Sequence, residues 1–167
     1  EKNVKAETMV VPDDVSIDEF VKFRSRTTKE AYELDDQGMI LTEKAGKLLG
    51  VSAGDSVEMT GEHSSVKILI NRICENYMSH FAYMTENMYR KLYGEKPQYN
   101  SILYRVTDRD ESIAEKAGER AMKCDAALSV TYTGNTKEQL DNMLTALDSV
   151  IGVLILSAGM LAFVVLY

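Results

Sequence analysis

Residues 38–59 read GMILTEKAGKLLGVSAGDSVEM. The short apolar run Met39 to Leu41 follows the turn formers Asp35-Asp36-Gln37-Gly38 and predicts a strand. Thr42 is a helix-capping residue type, and Ala45, Leu48 and Leu49 follow at a spacing that turns them inward on one helix. Gly50 supplies the left-handed residue that ends such a helix. Gly54-Asp55 then turns the chain into a second strand, Ser56 to Met59. Strand, short helix, turn and strand in immediate succession set the class as mixed α and β.

The flanks extend that pattern. NVKAETMVVP (3–12) predicts a strand stopped by Pro12. Ser16 and Glu19 have capping-box spacing and open a predicted short helix through Phe20, Val21 and Phe23. EAYEL (30–34) reads as a strand, and VKILINRI (66–73) strongly so. NYMSHFAYM (76–84) brings Tyr77, Phe81 and Tyr83 together. TENMYRKLYG (85–94) is a capped helix ending at Gly94, Pro97 breaks the chain, and YNSILYRV (99–106) is a further strand. Glu111 to Lys123 has high helix propensity. In ALSVTYT (127–133), Leu128, Val130 and Tyr132 alternate with polar residues, as in a half-buried strand. Residues 1–135 are therefore read as one α+β domain with a mixed sheet and short helices.

The chain has 167 residues, 26 acidic against 19 basic, and a net charge of -7. It lacks the basic footprint of a nucleic-acid binder and any Lys/Arg cluster for anionic lipid. The opening EKNVKAETMV has no apolar core, so it does not read as a secretory signal. Cys74 and Cys124 form no CxxC pair. They are read either as two half-buried thiols or as one disulfide, which needs Cα atoms within about 7 Å and an oxidising compartment.

Residues with catalytic potential are sparse. His63 lies at an expected hairpin tip and His80 among aromatics, with no partner at helical spacing to make a metal site. No nucleophile elbow, zinc-protease motif or phosphate loop occurs. Asp13-Asp14, Asp35-Asp36 and Asp108-Arg109-Asp110-Glu111 read as solvated turns, and Cys74 has no neighbour that marks it as a nucleophile. The expectation is no catalytic residue, no metal ligand and no cofactor. There are nine tyrosines and no tryptophan, and five of the tyrosines fall between Tyr77 and Tyr99. Tyrosine combines apolar area with a polar tip, which serves core packing and binding surfaces alike.

The chain closes on VIGVLILSAGMLAFVVLY (150–167), which carries no charge. At 1.5 Å per residue such a helix approaches the ~30 Å hydrocarbon thickness of a bilayer. A buried core helix or swapped interface is the soluble alternative. Gly152, Ser157, Ala158 and Gly159 are small enough to let another membrane helix approach. Upstream, Thr136 and Gln139 form a capping box. Leu140, Met143, Leu144, Leu147 and Ile151 make an apolar stripe. No proline intervenes, so residues 136–149 are expected as an amphipathic stalk lying on the domain. Residues 150–167 are expected as the start of a transmembrane helix. Asp141 and Asp148 flank the span with no Lys or Arg after Lys137, so the positive-inside rule, read on this one flank, leans toward a domain outside the cytoplasm.

GMILTEKAGKLLGVSAGDSVEM, CENYMSHFAYMTENMYRKLYG (74–94), YNSILYRV and LDSVIGVLILSAGMLAFVVLY (147–167), in that order, resemble the extracytoplasmic region of FtsX-like permeases of ABC transporters. The likeness is to the large Gram-positive forms and covers nearly the whole chain. It implies a MacB-like domain outside the cell membrane, between a first and a second membrane helix. It also implies a separate ABC ATPase subunit engaged through cytoplasmic parts beyond this sequence, a second permease half or copy, and an extracellular peptide, lipid or protein partner. The implied task is non-catalytic: motion driven by the ATPase passes through the stalk to export, efflux or a partner protein. No site residue is carried over. The alternative is a tail-anchored cytoplasmic binding module or enzyme, complete as given.

Overall fold

β2 (Met39–Thr42) is the strand on which the first unit is assembled, and all four of its residues are buried. The computed structural model describes residues 3–61, 64–76, 79–106 and 111–166, which divide into one unit up to Leu103 and a second from Tyr104. In the first unit, β2 leads into α1 (Glu43–Leu49), β3 (Ser56–Thr60) and β4 (Ser65–Cys74) follow, and β5 (Phe81–Thr85) runs into α2 (Glu86–Tyr93). With β1 (Glu7–Val11) these form a mixed five-stranded sheet in the order β1-β5-β2-β4-β3. β1 is parallel to β5, β5 antiparallel to β2, β2 parallel to β4, and β4 antiparallel to β3. The sheet curls, so that Thr8 Oγ1 on one edge strand lies 3.8 Å from Met59 Sδ on the other.

Strand periodicity sorts the side chains onto two covered faces. Met39, Leu41, Ile68, Ile70, Ala82 and Met84 pack with Ala45 of α1 and Met88 of α2. Ile40, Cys74, Tyr83 and Val11 pack on the other face against Ile17 and Phe23. β4 reaches both faces because it carries a bulge. Met39 is opposite Ile70 but Ile40 is opposite Arg72, so Asn71 is the extra residue and the alternation shifts there. Gly38 sits against that bulge. A Cβ on it would fall 2.7 Å from the Leu69 carbonyl oxygen and 2.9 Å from Asn71, so only glycine fits.

The Gly-Asp turn behaves as expected. Gly54 has φ 95°, its amide donates to the Ile70 carbonyl, and the Asp55 carbonyl accepts from Ile70 (both 2.8 Å). The Asp55 carboxylate closes the turn by accepting from the Ser52 amide at 2.8 Å. α2 is capped as predicted: Thr85 Oγ1 accepts from the Met88 amide at 3.1 Å, and Gly94 ends it at φ 75°.

Several expected elements are replaced. Residues 16–23 form turns, not a helix. The Ser16 hydroxyl bonds to Asp18, two residues on, instead of reaching the third residue as a capping box requires. Residues 30–34 hold only a single bridge, Ala31 to Arg24, because this stretch covers a sheet face and joins no edge. Thr42 precedes α1 without a capping hydrogen bond, since its hydroxyl accepts from the Phe81 amide at 3.1 Å. Leu48 points to solvent, while Ala45 and Leu49 pack inward. Residues 99–106 and 127–132 lie in no strand and pair with none of the five strands.

In the second unit, α3 (Glu111–Ala121) is followed by turns and then by α4 (Thr133–Leu166). Tyr132 packs on Gly118, where an added Cβ would come within 1.9 Å of the phenol oxygen. α4 starts at Thr133, three residues before the predicted Thr136, and runs unbroken for 34 residues. The side chains of Thr136, Gln139 and Leu140 lie outside the described set.

Candidate functional site

Two features stand out from the packed body. The first is α4. From Asp141 to Leu166 it is long and apolar enough to cross a membrane, and every one of these residues is exposed. Met143, Leu144 and Leu147 of the expected amphipathic stripe are among them. Between Asp141 and Leu166 the hydroxyl groups are satisfied within the helix. Thr145, Ser149 and Ser157 donate to the carbonyls of Asp141, Thr145 and Val153, four residues back, at 2.9, 3.1 and 2.6 Å. Such bonding removes the cost of carrying a free donor into hydrocarbon. A Cβ added at Gly152 or Gly159 would meet nothing within 4 Å.

The second feature is a groove of about 630 Å³ along β1 in the first unit. β1 is an edge strand that, among the described residues, pairs only with β5. The Glu7 amide donates to the His80 carbonyl at 2.8 Å, on the β5 side. Alternation therefore turns the Thr8 and Val10 amides toward the groove. Across the groove runs the extended stretch 97–101 with Leu103, and Phe20, Phe81 and Tyr89 complete the lining. No lysine or arginine lines it among the described residues. Tyr99 is exposed at its rim and donates to Glu86 Oε2 at 2.8 Å. Partial desolvation, the Glu86 carboxylate and the nearby Asp13 and Asp14 push its pKa up to about 12.

The groove shares Val11, Val15 and Ile17 with an adjoining cavity of about 480 Å³ that is lined by Asp13, Asp18, Glu33, Asp35 and Asp36. The turns that read as solvated are thus partly tied down. Asp35 accepts from Asn71 Nδ2 at 2.8 Å, bracing the β4 bulge. Asp36 accepts from Thr85 and from Asn87, and the Thr85 hydroxyl, more than any other neighbour, holds its carboxyl below the usual range. Asp13 accepts from the Asn87 amide at 3.1 Å. Among the described residues, no group of three or more His, Cys, Asp or Glu side chains is placed to hold a metal ion.

The remaining sequence candidates are dispersed. His63, Tyr77 and the turn Asp108 to Asp110 lie outside the described residues. His80 is half-buried, with Nδ1 enclosed and unpartnered. Tyr83 is core, 4.9 Å ring to ring from Phe23, and burial followed by the neighbouring Cys74 pushes its pKa up to about 12. Tyr89 and Tyr93 stack on each other at 4.5 Å. Both cysteines are free: Cys74 is buried, which raises its thiol to about 11, and Cys124 is exposed. Sequence reasoning missed Glu75. Its side chain is 4% exposed and bonds Arg24 Nε at 2.6 Å and Lys29 Nζ at 3.3 Å, fastening residues 24–31 to the end of β4. Its place directly after a strand was the only signal.

No family model, no curated protein and no solved structure matches this chain.

Proposed function

We propose that this chain is the extracytoplasmic domain of an FtsX-like ABC transporter permease. It is non-catalytic and coupled through α4 to a membrane and to a separate ATPase subunit. The observation that carries the reading is the continuity of α4. One helix runs from the polar turns before Thr133 to Leu166 with no proline, and its last charged residue is Asp148. A rigid rod of that kind transmits a displacement that a flexible tether would absorb. The sequence resemblance supplies the family. On this reading the domain lies outside the cell membrane and meets a peptide, lipid or protein there.

Ser149→Pro in the full transporter tests the coupling. Proline at this position removes a helical hydrogen bond and costs about 3 kcal/mol. Loss of ATPase-linked activity is expected, with the domain still folded by circular dichroism. Ser149→Ala keeps the helix and should keep the activity. Full activity in the proline variant would refute the rigid-rod mechanism.

A further inference from the structure

We infer that the groove along β1 accepts an extended, cationic segment of a partner polypeptide as a sixth strand of the sheet. The inference is independent of the permease reading.

Three observations converge on that occupant. The first is an unused ladder. Among the described residues no backbone hydrogen bond reaches the outer edge of β1, where the Thr8 and Val10 amides point. Unpaired edges are templates for strand addition, and natural sheets protect them with lysine, proline or a bulge inside the strand. β1 has none of these: it reads Glu-Thr-Met-Val-Val, and Pro12 follows only after its end. The second is room. The facing segment 97–103 makes no ladder with β1, and the space between them is about 630 Å³. Phe20, Tyr99 and Leu103 expose apolar surface there for the side chains of an entering strand. The third is charge. Glu7 lines the groove, Asp13 and Asp14 lie near Tyr99, and the adjoining cavity adds Asp18, Glu33 and Asp35, with no cation lining either space among the described residues, while Asp36 and Glu86 are already paired with Lys91 and Arg90 of α2. An anionic segment would be repelled by this excess of carboxylates, whereas lysine or arginine on alternate positions would face them.

The test uses the full-length protein in nanodiscs of zwitterionic phosphatidylcholine, so that lipid charge does not attract the probe. The probe is a fluorescent peptide of alternating Lys and Val, read by anisotropy. Saturable binding is expected for it and not for the Glu/Val counterpart. Thr8→Pro removes one outward amide while leaving the β5 side intact, a position where an edge strand tolerates proline. It should weaken binding by about tenfold, the equivalent of one ladder bond of about 1.4 kcal/mol. Should that variant misfold, the Lys/Val peptide N-methylated at alternate residues makes the same test on the unaltered protein, and it should bind at least about tenfold more weakly. Equal binding of the methylated and unmethylated peptides would overturn strand addition and leave only surface charge. Equal binding of the Glu/Val peptide would overturn the cationic preference. Absence of Lys/Val binding, or a β1 edge found occupied by a second copy of this chain, would overturn the proposal outright.

Discussion

Ile70 and Ile155 are the same residue type in opposite situations. Ile70 lies on β4, fully enclosed between the sheet and α1. Ile155 lies on α4, 68% exposed in a row of equally exposed Leu and Val. In the first unit, apolar residues alternate with polar ones and bury themselves against the same chain. From Val150 to Leu166 of α4 they run without a charged residue among them, and every side chain there is exposed. Hydrophobicity alone does not say where a residue goes. Its periodicity says whether the protein or another solvent will cover it.

Thiol labelling reads the contrast most strongly and needs no substitution. At pH 8 a thiol with a pKa of about 11 is ionised to about one part in a thousand, and Cys74 is also enclosed. Maleimide should therefore modify exposed Cys124 at once and Cys74 only on unfolding. Simultaneous labelling would mean the second sheet face is open.

Paired truncations come next. Ile70→Ala should cost the first unit about 2–5 kcal/mol in urea unfolding, as large-to-small changes in packed cores do. Ile155→Ala should leave the same transition unmoved. A smaller loss follows from Gly38→Ala. The new methyl group collides with the Leu69 carbonyl and Asn71 at the β4 bulge, for about 1–3 kcal/mol. Gly152→Ala, with open space around it, should cost nothing in that transition.

The smallest effect is electrostatic. The Thr85 hydroxyl depresses the Asp36 carboxyl, so the charged form is favoured in the folded state. Its contribution is fully present above the unfolded value of about 3.9 and is lost as pH falls through the lower folded value. Asp36 is exposed, which keeps the contribution under about 1 kcal/mol. Asp36→Asn should therefore lower the unfolding midpoint slightly at pH 7, and the difference should vanish in acid. α4 carries no such group after Asp148 and should show no comparable limb.

Much of the first unit was legible because its signals are local. β2, α1, the Gly-Asp turn, β4 and α2 follow from apolar runs bounded by Thr and Gly. What was not legible depends on partners distant in sequence. YNSILYRV has strand composition, yet it pairs with no strand of the sheet, although residues 97–103 run across the groove from the β1 edge. ALSVTYT alternates properly, but Leu128 is 93% exposed and Tyr132 is spent on covering Gly118. The Ser16 capping box failed because Asp18 competed for the same hydroxyl. The groove was invisible for the same reason: an unused edge is defined by the strand order, which no local pattern encodes. The tyrosine-rich stretch pointed toward it only through Tyr89 and Tyr99.

The most direct measurement is protease accessibility of this domain in the full-length native protein, on intact protoplasts and then on lysed ones. Exposed lysines such as Lys22 and Lys123 give trypsin its sites. The account predicts cleavage in intact protoplasts, with α4 retained in the membrane fraction. Protection until lysis would put the domain in the cytoplasm and contradict the proposed permease topology.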